Sequence, residues 1–195
     1  MRVLYRAMGR KTQSGFTLVE LIITLILASI ILGLGVPSFV DLVDSNRMIS
    51  VTNELVGDLQ YARNEAIKRN ASVTMCGSSN GTSCSGSTSW ENGWIVFTDP
   101  NVNATVDGGE AIVRGYGGTN GEPTIRVTTG TVGSSVSFDG DGFPRTLANL
   151  IQSGTFSICD SRGIGGAGTE FARAVQLGAS GRIRATRNQG VITCP

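Results

Sequence analysis

Apolar side chains fall into two regimes along this chain. Residues 16–36, FTLVELIITLILASIILGLGV, form one apolar run interrupted by a single carboxylate, Glu20. Such a run is long enough to cross a bilayer as a helix. Further on, Met48, Leu55, Leu59, Ala62 and Ala66 recur at spacings near three and four, which predicts that the helix resumes with one apolar face. Asp58, Arg63, Glu65 and Lys68 fall on its other faces, and Glu65 stands at a favourable i,i+4 spacing from Arg69. Asn70 ends this pattern. Pro37, preceded by Gly33 and Gly35, marks a kink or a locally melted turn.

Beyond Asn70 the period switches to two. Short strands are predicted over 71–76, 93–98, 111–114, 124–128, 135–138, 154–159, 172–178 and 182–186, between stretches rich in Gly, Ser, Asn and Asp. No second helix of comparable strength is predicted. The expected fold is α+β: a long N-terminal helix, transmembrane in its first half, packed by its second half against a C-terminal antiparallel sheet. With 195 residues there is room for one compact domain and an extra element.

The net charge of +1 hides an asymmetry. Arg2, Arg6, Arg10 and Lys11 precede the apolar run, which leaves the N-terminus cytoplasmic by the positive-inside rule. The remainder has 12 basic and 15 acidic residues, a net of −3. Nothing after Glu170 is acidic, whereas Arg173, Arg182, Arg184 and Arg187 are basic, so a mildly acidic body ends in a basic stretch.

Glu20 is the costly residue. A carboxylate deep in such a run costs about 2.5–3.5 kcal/mol on insertion scales, and less near the interface. It is read either as an acid snorkelling near a helix end or as one that pairs with a cation during assembly.

Histidine is absent, which removes the commonest general base and the commonest metal ligand. No Ser–His or Cys–His pair is possible and the acids fall singly in turns, so neither an enzyme nor a cofactor is expected. Cys76, Cys84, Cys159 and Cys194 all follow the apolar segment, on the far side of any membrane it crosses. An even number there favours two disulfides, and no CxxC pair supports zinc. Three pairings are possible. Cys76–Cys84 with Cys159–Cys194 is preferred, because the second bridge ties down a chain end that would otherwise fray beside the basic segment.

Three other features read as structural. Asp139-Gly-Asp-Gly142 lacks the further acids of a calcium loop and reads as a turn. The GIGGAG stretch at 163–168 lacks the following helix of a phosphate cradle and reads as a loop. Trp94 lies in an alternating strand and reads as core, which argues against a sugar-stacking platform with Trp90.

Residues 15–20, Gly-Phe-Thr-Leu-Val-Glu, stand behind a short basic leader and open the apolar run. They resemble the class III signal of type IV pilins and pseudopilins, and Pro37 also matches the family's pattern. The resemblance implies that residues 1–15 are a leader, cut between Gly15 and Phe16 by a prepilin peptidase, and that Phe16 is then N-methylated. It implies a transmembrane or filament-core segment at 16–43 and a periplasmic or extracellular head at 44–195. Glu20 would pair with the N-terminal amine of a neighbouring subunit. The implied partners are other major and minor pilins, the prepilin peptidase and the inner-membrane assembly platform. The implied location is the inner membrane, crossed once, and then the pilus.

Several further segments carry a narrower resemblance. They are LQYARNEAIKRN at 59–70, the strand containing Cys76, WENGWIVF at 90–97, FDGDGFP at 138–144 and GRIR at 181–184. Together they resemble the FimT/FimU/GspH group of minor pilins and minor pseudopilins, most closely FimT. FimT proteins of naturally competent bacteria bind DNA through a C-terminal Gly-Arg-X-Arg motif, which Gly181-Arg-Ile-Arg184 fits residue by residue. In a strand Arg182 and Arg184 share one face with Ile183 on the other, and guanidinium forks match phosphate oxygens. Arg187 is a further DNA candidate, turned away by the same alternation. Two alternatives stand beside this reading: a FimU-like structural minor pilin that primes assembly without DNA, and a GspH-like minor pseudopilin of type II secretion.

Overall fold

The computed structural model describes residues 15–165 and 171–194. The expected leader apart from Gly15, and residues 166–168 of the glycine-rich loop, lie outside the described residues. Helix α1 spans Leu18–Arg69. The chain divides into two units between Leu42 and Val43.

In the first unit the apolar side chains are exposed, as a helix facing lipid or neighbouring subunits requires. The helix is long and apolar enough to cross a membrane, with a window of mean hydropathy 2.5 and none of it buried. Helical geometry continues through Gly33, Gly35 and Pro37, so the locally melted turn expected there is absent. Pro37 removes only one N–H, and the strongly helical flanks keep the turn around it.

In the second unit the helix buries Met48, Val51, Leu55, Leu59, Ala62 and Ala66. It ends in a Schellman turn. Asn70 adopts φ 49°, its N–H reaches the Ile67 carbonyl and the Ala71 N–H reaches that of Ala66.

Among the described residues nine strands follow: β1 Val73–Gly77, β2 Trp94–Thr98, β3 Ile112–Tyr116, β4 Thr124–Gly130, β5 Ser135–Phe138, β6 Pro144–Arg145, β7 Gly154–Cys159, β8 Arg173–Leu177 and β9 Ile183–Thr186. They form two antiparallel sheets, ordered β3-β2-β1-β5-β6 and β4-β7-β8-β9. One core joins the helix face to Val73 and Met75, Trp94 and Val96, Phe138, Phe156 and Ile158, Val175 and Leu177. The fold is thus one long helix packed on antiparallel sheets.

Because two sheets claim the helix, its buried face is wider than a single stripe. Asp58 and Glu65, expected on outer faces, are buried instead. Asp58 accepts the Trp94 indole N–H at 2.7 Å and pairs with Arg114 Nε. Glu65 accepts from Arg69 Nε at 2.6 Å. Trp90 is buried like Trp94, so neither tryptophan offers a sugar platform.

The far face of the five-stranded sheet is also covered. Ile95 and Phe97 pack with Cys76, Cys84 and Val106, under the loop closed by the Cys76–Cys84 bridge. This explains why the four successive residues Trp94–Phe97 of β2 are all buried.

Candidate functional site

The N-terminal segment begins outside the helix. Gly15 and Phe16 are exposed and non-helical, and a Cβ built on Gly15 would meet nothing within 4 Å. Thr17 caps the helix: its Oγ1 accepts from Glu20 N at 3.2 Å and its carbonyl accepts from Leu21 N at 3.1 Å. Glu20 therefore stands in the first helical turn, where the free N–H groups of the helix end favour an acid. It lies at the edge of the apolar run, where a carboxylate costs less than at the bilayer centre.

The basic C-terminal stretch is built on the last hairpin. β8 and β9 pair with Gln176 opposite Arg184 and Leu177 opposite Ile183. Ile183 packs towards the core while Arg182 and Arg184 stay exposed on the outer face. The turn is closed by Gly178 N to the Arg182 carbonyl and Gly181 N to the Gly178 carbonyl, each 2.8 Å. Gly181 sits at φ 74°, and a Cβ there would lie 2.4 Å from the Gly142 carbonyl oxygen. The glycine ahead of the two arginines is thus a steric requirement of the hairpin.

Arg184 donates from Nε to Gln176 Oε1 at 3.3 Å, and no ion pair joins Arg182 or Arg184 to a described residue. Both line an open groove of about 420 Å³ with Thr129, Ser153, Thr155 and Gln176. It occupies one end of the outer face of the four-stranded sheet. The other end is covered by the chain end, where Ile192 packs with Cys159, Ala172 and Ala174. Cys159 is bonded to Cys194, and Thr193 N donates to Ser157 Oγ at 3.1 Å. The tethered segment contributes no residue to the groove and leaves the arginine end open.

Arg187 lies beyond β9, beside Arg173. Burial, and secondarily the Arg187 charge, push the Arg173 pKa down from its ordinary value. Arg187 is separated from the shared face of Arg182 and Arg184, which the two-residue alternation of the strand had indicated.

Two features escaped the sequence reading. Arg63, far away in the chain, lines a second groove with Gln60, Asn64, Ser180, Gly181 and Arg182. Residues 99–110 also place Asp99, Asn101, Asn103, Asp107 and Glu110 at the spacing of a calcium loop. In the structure these side chains hold the loop itself. Asp99 accepts from Thr74 Oγ1, Asn103 N and Ala104 N, and Asp107 from the amides of Asn101 and Asn103. Among the described residues no group of three His, Cys, Asp or Glu side chains is placed to hold a metal.

Residues 51–181 match the model of the family described as type II transport protein GspH, and residues 10–36 match the prokaryotic N-terminal methylation motif. No curated protein sequence matches significantly. Two crystal structures of the type IV minor pilin FimU from Pseudomonas aeruginosa PAO1 are similar to the chain. The one in space group P21 is 21% identical with a TM-score of 0.50, covering 72% of this chain and 89% of that one. The one in P65, also 21% identical, has a TM-score of 0.49 over 70% of this chain and 90% of that one. At this identity the likeness concerns the fold.

Proposed function

Since the chain belongs to the GspH family of type II transport proteins and carries the N-terminal methylation motif of inner-membrane-anchored pilins, we propose that it is a FimT-like minor type IV pilin whose head binds DNA. Association with other pilins and with the assembly machinery follows from the family itself. The DNA role rests on one observation: Arg182 and Arg184 are exposed on one face, free of carboxylate partners among the described residues, beside an open groove.

Two guanidinium groups on a strand edge read phosphates and not bases, so binding is weak per subunit and indifferent to sequence. Processing fits the same reading: cleavage between Gly15 and Phe16 and methylation of Phe16 free an amine that the Glu20 carboxylate of a neighbouring subunit neutralises. In the assembled pilus, extension presents the arginines, DNA phosphates bind them, and retraction draws the strand inward.

The test is a titration of the detergent-solubilised full chain and of Arg182→Gln/Arg184→Gln on the same labelled duplex at two salt concentrations. The double variant should bind any duplex more weakly by a similar factor. Each lost phosphate contact should reduce the log–log salt slope by about 0.9. Transformation frequency should fall with affinity while piliation persists. Equal affinities and slopes would falsify the DNA role. The family description favours the reading that would then remain, a structural minor pilin or type II pseudopilin without DNA binding.

A further inference from the structure

The helix contributes a basic group to the arginine hairpin. Arg63 Nε donates to the Gly142 carbonyl at 2.9 Å, in the β5–β6 turn. That same carbonyl packs against Gly181, where an added Cβ would lie 2.9 Å from Arg63 Nε and 3.3 Å from its Cζ. The Arg63 guanidinium is thus fixed by one nitrogen against the tip that carries Arg182. Its Nη atoms make no hydrogen bond or ion pair with a described residue.

The second groove runs between this helix face and the hairpin tip, and no carboxylate lines it. Its walls supply Arg63, Arg182, the amides of Gln60 and Asn64 and the Ser180 hydroxyl, all of them able to donate to phosphate oxygens. Arg182 lines this groove as well as the first. Of the two acids on the β5–β6 turn, Asp139 is engaged by Arg145 at 2.9 Å, and Asp141 is exposed beside Gly142 but does not line the groove.

We propose that Arg63 is a phosphate-binding residue, so that the DNA-binding surface continues from Arg184 through Arg182 across the sheet-to-helix seam to α1. This rests on the DNA reading above and extends it to a residue outside the hairpin motif. A guanidinium already anchored through Nε beside the groove has little side-chain freedom left to lose when a phosphate arrives.

The experiment titrates the full chain in detergent, wild type and variants, on one labelled duplex at two salt concentrations, with thermal unfolding as a check. Arg63→Gln should weaken binding several-fold and lower the salt slope by about 0.9, and Arg63→Lys should retain most of the slope. Gln60→Glu puts a carboxylate into the groove from an exposed position and leaves the Arg63–Gly142 contact in place. It should weaken binding without shifting the unfolding temperature, and it decides the matter if Arg63→Gln unfolds. If Arg63→Gln and Gln60→Glu bind like wild type while Arg182→Gln/Arg184→Gln is weakened, the helix contribution is overturned and the DNA reading stands. If Arg182→Gln/Arg184→Gln also binds like wild type, the DNA reading itself falls and takes Arg63 with it.

Discussion

Trp94 donates its indole N–H to the Asp58 carboxylate across 2.7 Å, in a place where neither side chain is exposed. The bond ties the helix to β2, and Arg114 on β3 completes it from the sheet edge with a pair to the other carboxylate oxygen. Asp58→Ala leaves the indole N–H without its acceptor and should cost about 1–3 kcal/mol. Asp58→Asn keeps an acceptor for Trp94 and should cost less. Urea unfolding of the two variants measures the difference, and equal losses would mean that the indole bond contributes nothing.

Two buried acids should act oppositely on acid stability. Burial pushes the Asp58 carboxyl above its ordinary value of 3.8, against the pull of Trp94 and Arg114. The folded state then holds the proton more tightly than the unfolded chain, so stability falls as pH rises from about 3.8 through the folded pKa. Burial also acts to raise Glu91, but the Arg126 guanidinium and the backbone amides outweigh it and hold Glu91 below 4.5. Its contribution is present above 4.5 and is lost as pH falls through the lowered folded value. Glu91→Gln should therefore flatten the acid-side loss of stability and Asp58→Asn should steepen it. Melting temperatures between pH 3 and 7 read both effects, and parallel profiles for the two variants would contradict this assignment of signs.

The strands were legible because their period of two survives in short segments, and all eight expected ranges overlap an observed strand. β6 was missed because Pro144–Arg145 offers only two residues, too few for any period. The three-to-four spacing misled at the helix. Asp58 and Glu65 look like outer-face residues when one sheet covers one stripe, and the division of the strands into two sheets is a long-range fact that no local pattern encodes. At the candidate surface, Ile183 between two arginines announced which side faces solvent. Nothing near Arg63 announced Gly142 or Gly181, since that contact exists only after the helix, a turn and the last hairpin have met.

Processing can be tested at a position without structural consequence. Since a Cβ at Gly15 meets nothing, Gly15→Val leaves the protein's own packing unchanged, and its effect reports on the peptidase alone. Intact-mass measurement on membrane extracts should find wild type beginning at Phe16 and the variant still carrying its leader. Wild type retaining residues 1–15 would remove the pilin cleavage from the proposal. Glu20→Ala should insert at least as well, yet be depleted from sheared pili; normal amounts there would leave Glu20 with only its place in the first helical turn.

The Cys159–Cys194 bridge anchors the chain end on the outer face of the four-stranded sheet. Replacing both cysteines by serine should cost about 2–5 kcal/mol. Limited proteolysis should then cut after Arg187 sooner than in wild type, because the end is held otherwise by Ile192 packing and the Thr193–Ser157 contact. Non-reducing peptide mapping that joins Cys76 to Cys159 would contradict the connectivity outright.

The Schellman turn at Asn70 has a mechanical side. The helix ends at Arg69 and β1 begins at Val73, so tension carried along the second half of the helix enters the sheet within a few residues. It enters at the third of five strands, which is held by ladders to β2 on one side and β5 on the other. Pulled along its length, that strand must shear both ladders together; an edge strand would peel away one bond at a time. The short turn leaves no slack to absorb the load, so a pull along the helix reaches a strand that is held on both sides.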